Sequence, residues 1–487
     1  VRHPEGYSSV YAHLDRLAEP LMDYVRSAQY QREEFAVDLR PDPARFPVAR
    51  GEQIGVVGDR GYSFGPHLHF EMRGDDEDEA LNPLLFGIRV ADTKAPDIRE
   101  VLLYEMDESG RKVGEQNLKL WADGPNRKRV ADTVYTSAPL VGLELKAYDK
   151  QDKLNNWNGI YSVRLFADRD SVARFGYRFS KVHYEDTRYL NSHVDYAAYS
   201  LRNTWFHRVF RQPGNLLRLY QGASNGTLPL AVDQYRDLLL EVGDYAGNTA
   251  SARLTVKRRP APAGELLPAP PPYQYFLPWG EASLIDDGRV RLLFPAGTIY
   301  ENLYLNYQTV EDRSESVFSV VEQVHRAGVP LHKYAEIALT PADNLPEYLR
   351  AKAVVARCRP GGGYVSYGGN WRSDGRLHSE FRDFGDYCIT IDTVAPTIRA
   401  ETFRENLRGA AGFSFKLRDN MPTSGPAGDL RYRARVDGRW ILLEYDLKNA
   451  RLFHEFDGSI PAGRHELVIE ATDDRGNTGR FVGAFVR

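Results

Sequence analysis

The segment Gly61-Tyr62-Ser63-Phe64-Gly65-Pro66-His67-Leu68-His69-Phe70-Glu71 decides how the first part of the chain is read. Its glycines and proline make a tight turn that runs directly into a strand. Alternate residues of a strand share a face, so His67 and His69 are expected to project together, roughly 7 Å apart, while Leu68 and Phe70 enter a core. Two neighbouring imidazoles can divide a task. One ligates a metal, and the other addresses a metal-bound water or a developing oxyanion. An isolated H-x-H pair is more often an ordinary surface feature, so the flanking sequence has to decide.

Upstream, Gly6-Tyr7-Ser8-Ser9-Val10-Tyr11-Ala12-His13-Leu14 reads as a strand ending in a histidine. Gly51-Glu52-Gln53-Ile54-Gly55-Val56-Val57-Gly58 reads as a hairpin element leading to the glycine turn. The order Y-x-H-L, then G-x-x-I-G-x-x-G, then G-x-S-x-G-P-H-L-H-F-E resembles the lysostaphin/LytM-type zinc endopeptidases, which cut peptide cross-links in bacterial cell walls. The resemblance covers about residues 1–87. It implies that His69 is a zinc ligand and that His13 and His67 are the catalytic histidines. It also implies Zn2+ as cofactor, peptidoglycan as substrate, and a place in the cell envelope, periplasmic or extracellular.

In that family two more zinc ligands come from an upstream H-x-x-x-D segment. Here Val1 already lies in the strand leading to His13, and neither His3 nor Asp15 has the family's spacing or order. One of three expected protein ligands is therefore present, whereas catalytic zinc normally takes three plus a water. The expectation is a truncated sequence whose intact precursor is the hydrolase, with weak zinc binding and little wall cleavage by this chain. The alternative is a non-catalytic LytM-type envelope protein that regulates other wall hydrolases or acts as a scaffold.

At 487 residues the chain should hold three to five domains. Aromatic residues make up 12%, with 29 Tyr, which suits strands and turns and predicts a mainly β fold. The net charge is −4, from 63 basic and 67 acidic residues, so nothing points to nucleic acid or to an anionic membrane surface. No apolar run approaches the roughly 20 residues of a membrane span, so no transmembrane segment is expected. Cys358 and Cys388 fall in predicted strands of one domain, and a disulfide and two buried thiols both fit.

Residues 16–47 interrupt the peptidase-like pattern. Leu17, Leu21, Tyr24, Val25 and Ala28 recur at helical spacing, predicting a helical insertion packed on the sheet or walling a substrate groove. The acidic run Asp75-Asp76-Glu77-Asp78-Glu79 reads as a solvated hairpin loop. Further on, Asp92-Thr93-Lys94-Ala95-Pro96-Asp97-Ile98-Arg99 is repeated as Asp392-Thr393-Val394-Ala395-Pro396-Thr397-Ile398-Arg399. Asp244-Tyr245-Ala246-Gly247-Asn248-Thr249 is echoed by Asp474-Arg475-Gly476-Asn477-Thr478, each between strand-like runs. Such openers and hairpin closers resemble bacterial immunoglobulin-like modules. The closing aspartates suit turn chemistry, and calcium ligation is the less economical reading.

The expected organisation is a partial LytM-type peptidase domain at 1–88, with its insertion at about 16–47, followed by an immunoglobulin-like module at 89–257. A proline-rich linker at 258–272, a β domain at 273–394 and an immunoglobulin-like β-sandwich module at 395–487 complete it. The excess at about 168–232 is rich in aromatics, and core packing is expected over a glycan-binding face. The β modules are expected to place the chain among envelope components, including other envelope proteins.

Overall fold

The computed structural model describes residues 1–487 apart from 62, 171, 263–266, 312, 313 and 315. Tyr62 of the glycine turn and residues 263–266 of the proline-rich linker therefore lie outside the described residues. The fold is mainly β, built from separate, largely antiparallel sheets. Among the described residues no helix is long and apolar enough to cross a membrane.

The first sheet starts with strand β1 (Ser8–Ala12), which turns at His13 into β2 (Leu14–Leu17). Helix α1 (Leu21–Arg32) follows, then β3 (Gly55–Val57), β4 (His69–Arg73) and β5 (Glu79–Leu81). Strand β1 pairs antiparallel with β4, setting Ala12 opposite His69, and β2 pairs with β3. Asp75 to Asp78 of the acidic run form the tip between β4 and β5, and Glu79 opens β5. On the far side of β5 lies the strand Lys181–His183, so the sheet order is β1-β4-β5 and then a strand from the aromatic insertion.

Three further cores follow. The one around Val101, Leu143, Leu165, Leu240 and Val256 sits between an eight-stranded and a five-stranded sheet. That around Leu292, Ile337, Val355 and Tyr387 joins two five-stranded sheets, and that around Phe415, Leu452, Leu467 and Ile469 joins two four-stranded ones. Strict alternation produces these layers. In Arg464–Thr472 the buried positions are His465, Leu467, Ile469 and Ala471, each separated by a more exposed residue. Each fully buried Leu, Ile or Val contributes about 1.5–3 kcal/mol relative to exposure.

Two expectations change, for Leu68 and for the helical insertion. Leu68 is 43% exposed rather than buried, because β4 begins only at His69; His67 meets the sheet through a single bridge to Gly58. Helix α1 buries only Gln29, and its Tyr30 packs on the last module, donating to Asp457 at 2.5 Å and meeting the Trp440 ring at 5.2 Å. In the aromatic insertion Tyr177, Phe206 and Phe210 are buried. Cys358 and Cys388 lie on the neighbouring strands Ala353–Cys358 and Gly385–Ile391, their sulfurs 3.8 Å apart.

Candidate functional site

The chain reverses hand at His13, whose φ of 59° lies in the left-handed region. That kink ends β1 and turns the imidazole towards the residues that open β4. The ring centroids of His13 and His67 are 4.8 Å apart, and those of His13 and His69 are 5.6 Å apart. All three histidines singled out by the sequence thus stand together.

Gly58 holds the two segments in register. Its N–H donates to the His13 carbonyl at 3.0 Å, and its own carbonyl accepts from the His67 N–H at 3.0 Å. A Cβ built on Gly58 would stand 2.6 Å from the Asp15 nitrogen and 2.8 Å from its Cα, so only glycine permits this approach.

The tautomers follow from the partners. His13 Nδ1 lies 2.8 Å from the Arg60 carbonyl, and His67 Nδ1 lies 2.8 Å from the Gly65 carbonyl. A carbonyl oxygen only accepts, so both Nδ1 atoms carry hydrogen, and in the neutral rings Nε2 keeps its lone pair. His69 is held differently, its Nε2 being 2.6 Å from Glu71 Oε1. Glu71 also accepts from Tyr184 at 2.7 Å and from Arg73 at 2.9 Å. Burial pushes the Glu71 carboxyl up, but hydrogen bonds from Tyr184, His69 and Arg73 outweigh it and hold the group below its ordinary value.

Two features of this geometry were missed by sequence reasoning. Glu71 stands two residues beyond His69 on the same strand face, and that alternation was a usable signal. Tyr184 arrives from the insertion more than a hundred residues later and gave none.

The described residues do not make a closed zinc site. His69 spends its Nε2 on Glu71, and the three imidazoles do not bring their nitrogens within 4.8 Å of one another. Among the described residues only two aspartate trios meet that spacing. His3 is occupied elsewhere, with Nε2 2.8 Å from Ser9 Oγ, and Asp15 pairs with Arg60 at 3.2 Å.

The last module borders this site. Arg60, whose carbonyl orients His13, directs its guanidinium to Glu444 and, at 3.1 Å, to Glu455. Lys448 donates to the Ser63 carbonyl at 2.6 Å.

A family model for the Zu5-like domain matches residues 274–392. No curated protein matches the chain. Among solved structures, a Bacteroides ovatus mixed-linkage glucan utilization locus protein, SGBP-B, in complex with a mixed-linkage heptasaccharide is 8% identical, with 81% of this chain and 71% of that one covered, at a TM-score of 0.15. A 1.5-MDa bacterial ice-binding adhesin is 12% identical, covering 73% and 93%, at 0.14. Drosophila N-cadherin EC1-4 is 11% identical, covering 73% and 72%, at 0.15. Likeness at these TM-scores carries no argument about function.

Proposed function

We propose that residues 1–87 belong to a lysostaphin/LytM-type peptidase that hydrolyses peptide bonds of peptidoglycan in the complete gene product. The observation that supports this most is the meeting of His13 with His67 and His69, brought from separate motif segments to ring distances of 4.8 and 5.6 Å. The Nε2 atoms of His13 and His67, with their Nδ1 atoms tied to carbonyls, suit proton transfer to and from a reacting water or oxyanion. His69 is the residue the motif assigns to zinc. When bound, zinc would polarise the scissile carbonyl and lower the pKa of its water. Among the described residues the ligand set does not close around a zinc ion. The β modules would keep the enzyme in the envelope.

The test is peptidoglycan turnover and metal content of the complete gene product. His69→Ala should abolish both, while His13→Ala and His67→Ala should retain zinc and lose most of the rate. Zinc loss in His67→Ala but not in His69→Ala would reverse the roles. An inactive product carrying all the motifs would favour the non-catalytic regulator. One observation already leans that way: Lys448 and Glu444 of the last module sit on the loop that orients the histidines.

A further inference from the structure

The two repeated phrases assemble the same object twice. In the first immunoglobulin-like module the opener Asp92 and the closer Asp244 meet Asp149; in the last, Asp392 and Asp473 meet Asp419. Within each trio the ligand atoms lie within 4.8 Å of one another. The third aspartate is equivalent by register. Asp149 follows Tyr148, which pairs with Asp97, and Asp419 follows Arg418, which pairs with Thr397; both partners stand five residues past the opener.

The surroundings repeat as well. Asn248 Nδ2 donates to Asp244 at 2.7 Å and to the Asp92 carbonyl at 3.2 Å. Asn477 Nδ2 donates to Asp473 at 2.7 Å and to the Asp392 carbonyl at 2.9 Å. The closing aspartate of the last module is therefore Asp473, not Asp474, which pairs instead with Arg475 at 3.2 Å.

Turn hydrogen bonds reach Asp92, Asp244, Asp392, Asp419 and Asp473, but they leave two buried oxygens unanswered. Asp149 is only 6% exposed and its Oδ1 accepts no hydrogen bond; Asp392 is 1% exposed and its Oδ2 accepts none. An unpartnered buried carboxylate oxygen beside two further carboxylates is costly without a cation. Among the described residues no Lys or Arg forms an ion pair with any of the six. We infer that each trio is a calcium site, one at the entrance to each immunoglobulin-like module. All the donors are hard oxygens, and oxygens on opposite sides of one Ca2+ stand roughly 4.6–5.2 Å apart, against about 4.2 Å for Mg2+. The ion would tie the opener to the module's closing hairpin. In the last module it would also tie the module to the domain before it, since the Asp392 N–H donates to the Lys352 carbonyl at 2.9 Å.

The experiment is equilibrium dialysis of the chelator-treated chain against Ca2+, with Mg2+ as competitor, beside melting curves with and without Ca2+. Two saturable Ca2+ per chain are expected, falling to one in Asp149→Asn, one in Asp419→Asn and none in the double variant. Neither residue holds a hairpin turn, so both variants should fold, as far-UV circular dichroism will verify. Fewer than two ions per wild-type chain, unchanged stoichiometry in the variants, or a melting temperature that Ca2+ does not raise would overturn the inference. Should a variant fail to fold, the wild-type stoichiometry and melting shift decide by themselves.

Discussion

The Lys448 ammonium donates to the Ser63 carbonyl at 2.6 Å, joining residues 385 positions apart. The loop that carries Ser63 also carries Arg60 and Gly65, whose carbonyls orient His13 and His67. The last module therefore helps to fix the attitude of two imidazoles to which it contributes no atom.

Lys448→Ala should loosen that loop. A charge-assisted hydrogen bond of this kind contributes about 1.5–3 kcal/mol. Amide exchange at residues 61 to 65 should accelerate, while the cores of the other modules stay protected. Exchange unchanged from wild type would mean that the contact holds nothing.

Gly58→Ala places a methyl group against backbone atoms of Asp15. The pairing of β2 with β3 must give way, at a cost of about 2–3 kcal/mol. The β2–β3 ribbon should open earlier, and the ring cross-peaks between His13 and His67 should vanish from nuclear Overhauser spectra. A variant with wild-type melting would show that the approach is not tight.

Glu71→Gln removes the charge that three donors share. Its expected cost is about 1–3 kcal/mol, read as a lower melting temperature. Tyr184→Phe removes one neutral donor and should cost less, about 0.5–1.5 kcal/mol. Equal effects would mean that the charge contributes nothing beyond the Tyr184 bond.

Acid should weaken the β module at residues 89–257 through a buried histidine pair. His207 Nδ1 lies 3.3 Å from His193 Nε2, and His193 Nδ1 lies 3.1 Å from the Tyr220 hydroxyl. Burial pushes His207 down to about 4, and burial, with the His207 and Arg208 charges, pushes His193 well below its ordinary value. The unfolded chain takes up protons near about 6.5, so below that pH it binds more of them than the folded chain. Stability should be flat above about 6.5 and fall from there towards pH 4. His207→Gln should flatten the slope in urea titrations, and an unchanged slope would place the acid sensitivity elsewhere.

The mainly β class was legible because alternation and turn residues are local signals, as was the company of His13, His67 and His69 within one short motif order. The inward turn expected of Leu68 fails because strand geometry starts two residues later than His67. Asp92 and Asp392 stood out as repeated phrases. Asp149 and Asp419 did not, because stretches of unequal length separate them from their openers, and only strand register makes them equivalent. The pairing of Lys181–His183 with β5 was hidden for a related reason. Three residues carry too little pattern to name a partner a hundred positions away.

That pairing bears on heredity. Were a recombination event to carry off residues 1–88 alone, β5 would be left with an unpaired edge inviting any passing strand, and Glu71 would lose its phenol. A cut at residue 88 would thus sever backbone pairing as well as a side-chain bond, so the first sheet and the strand Lys181–His183 have to travel together for either edge to stay covered.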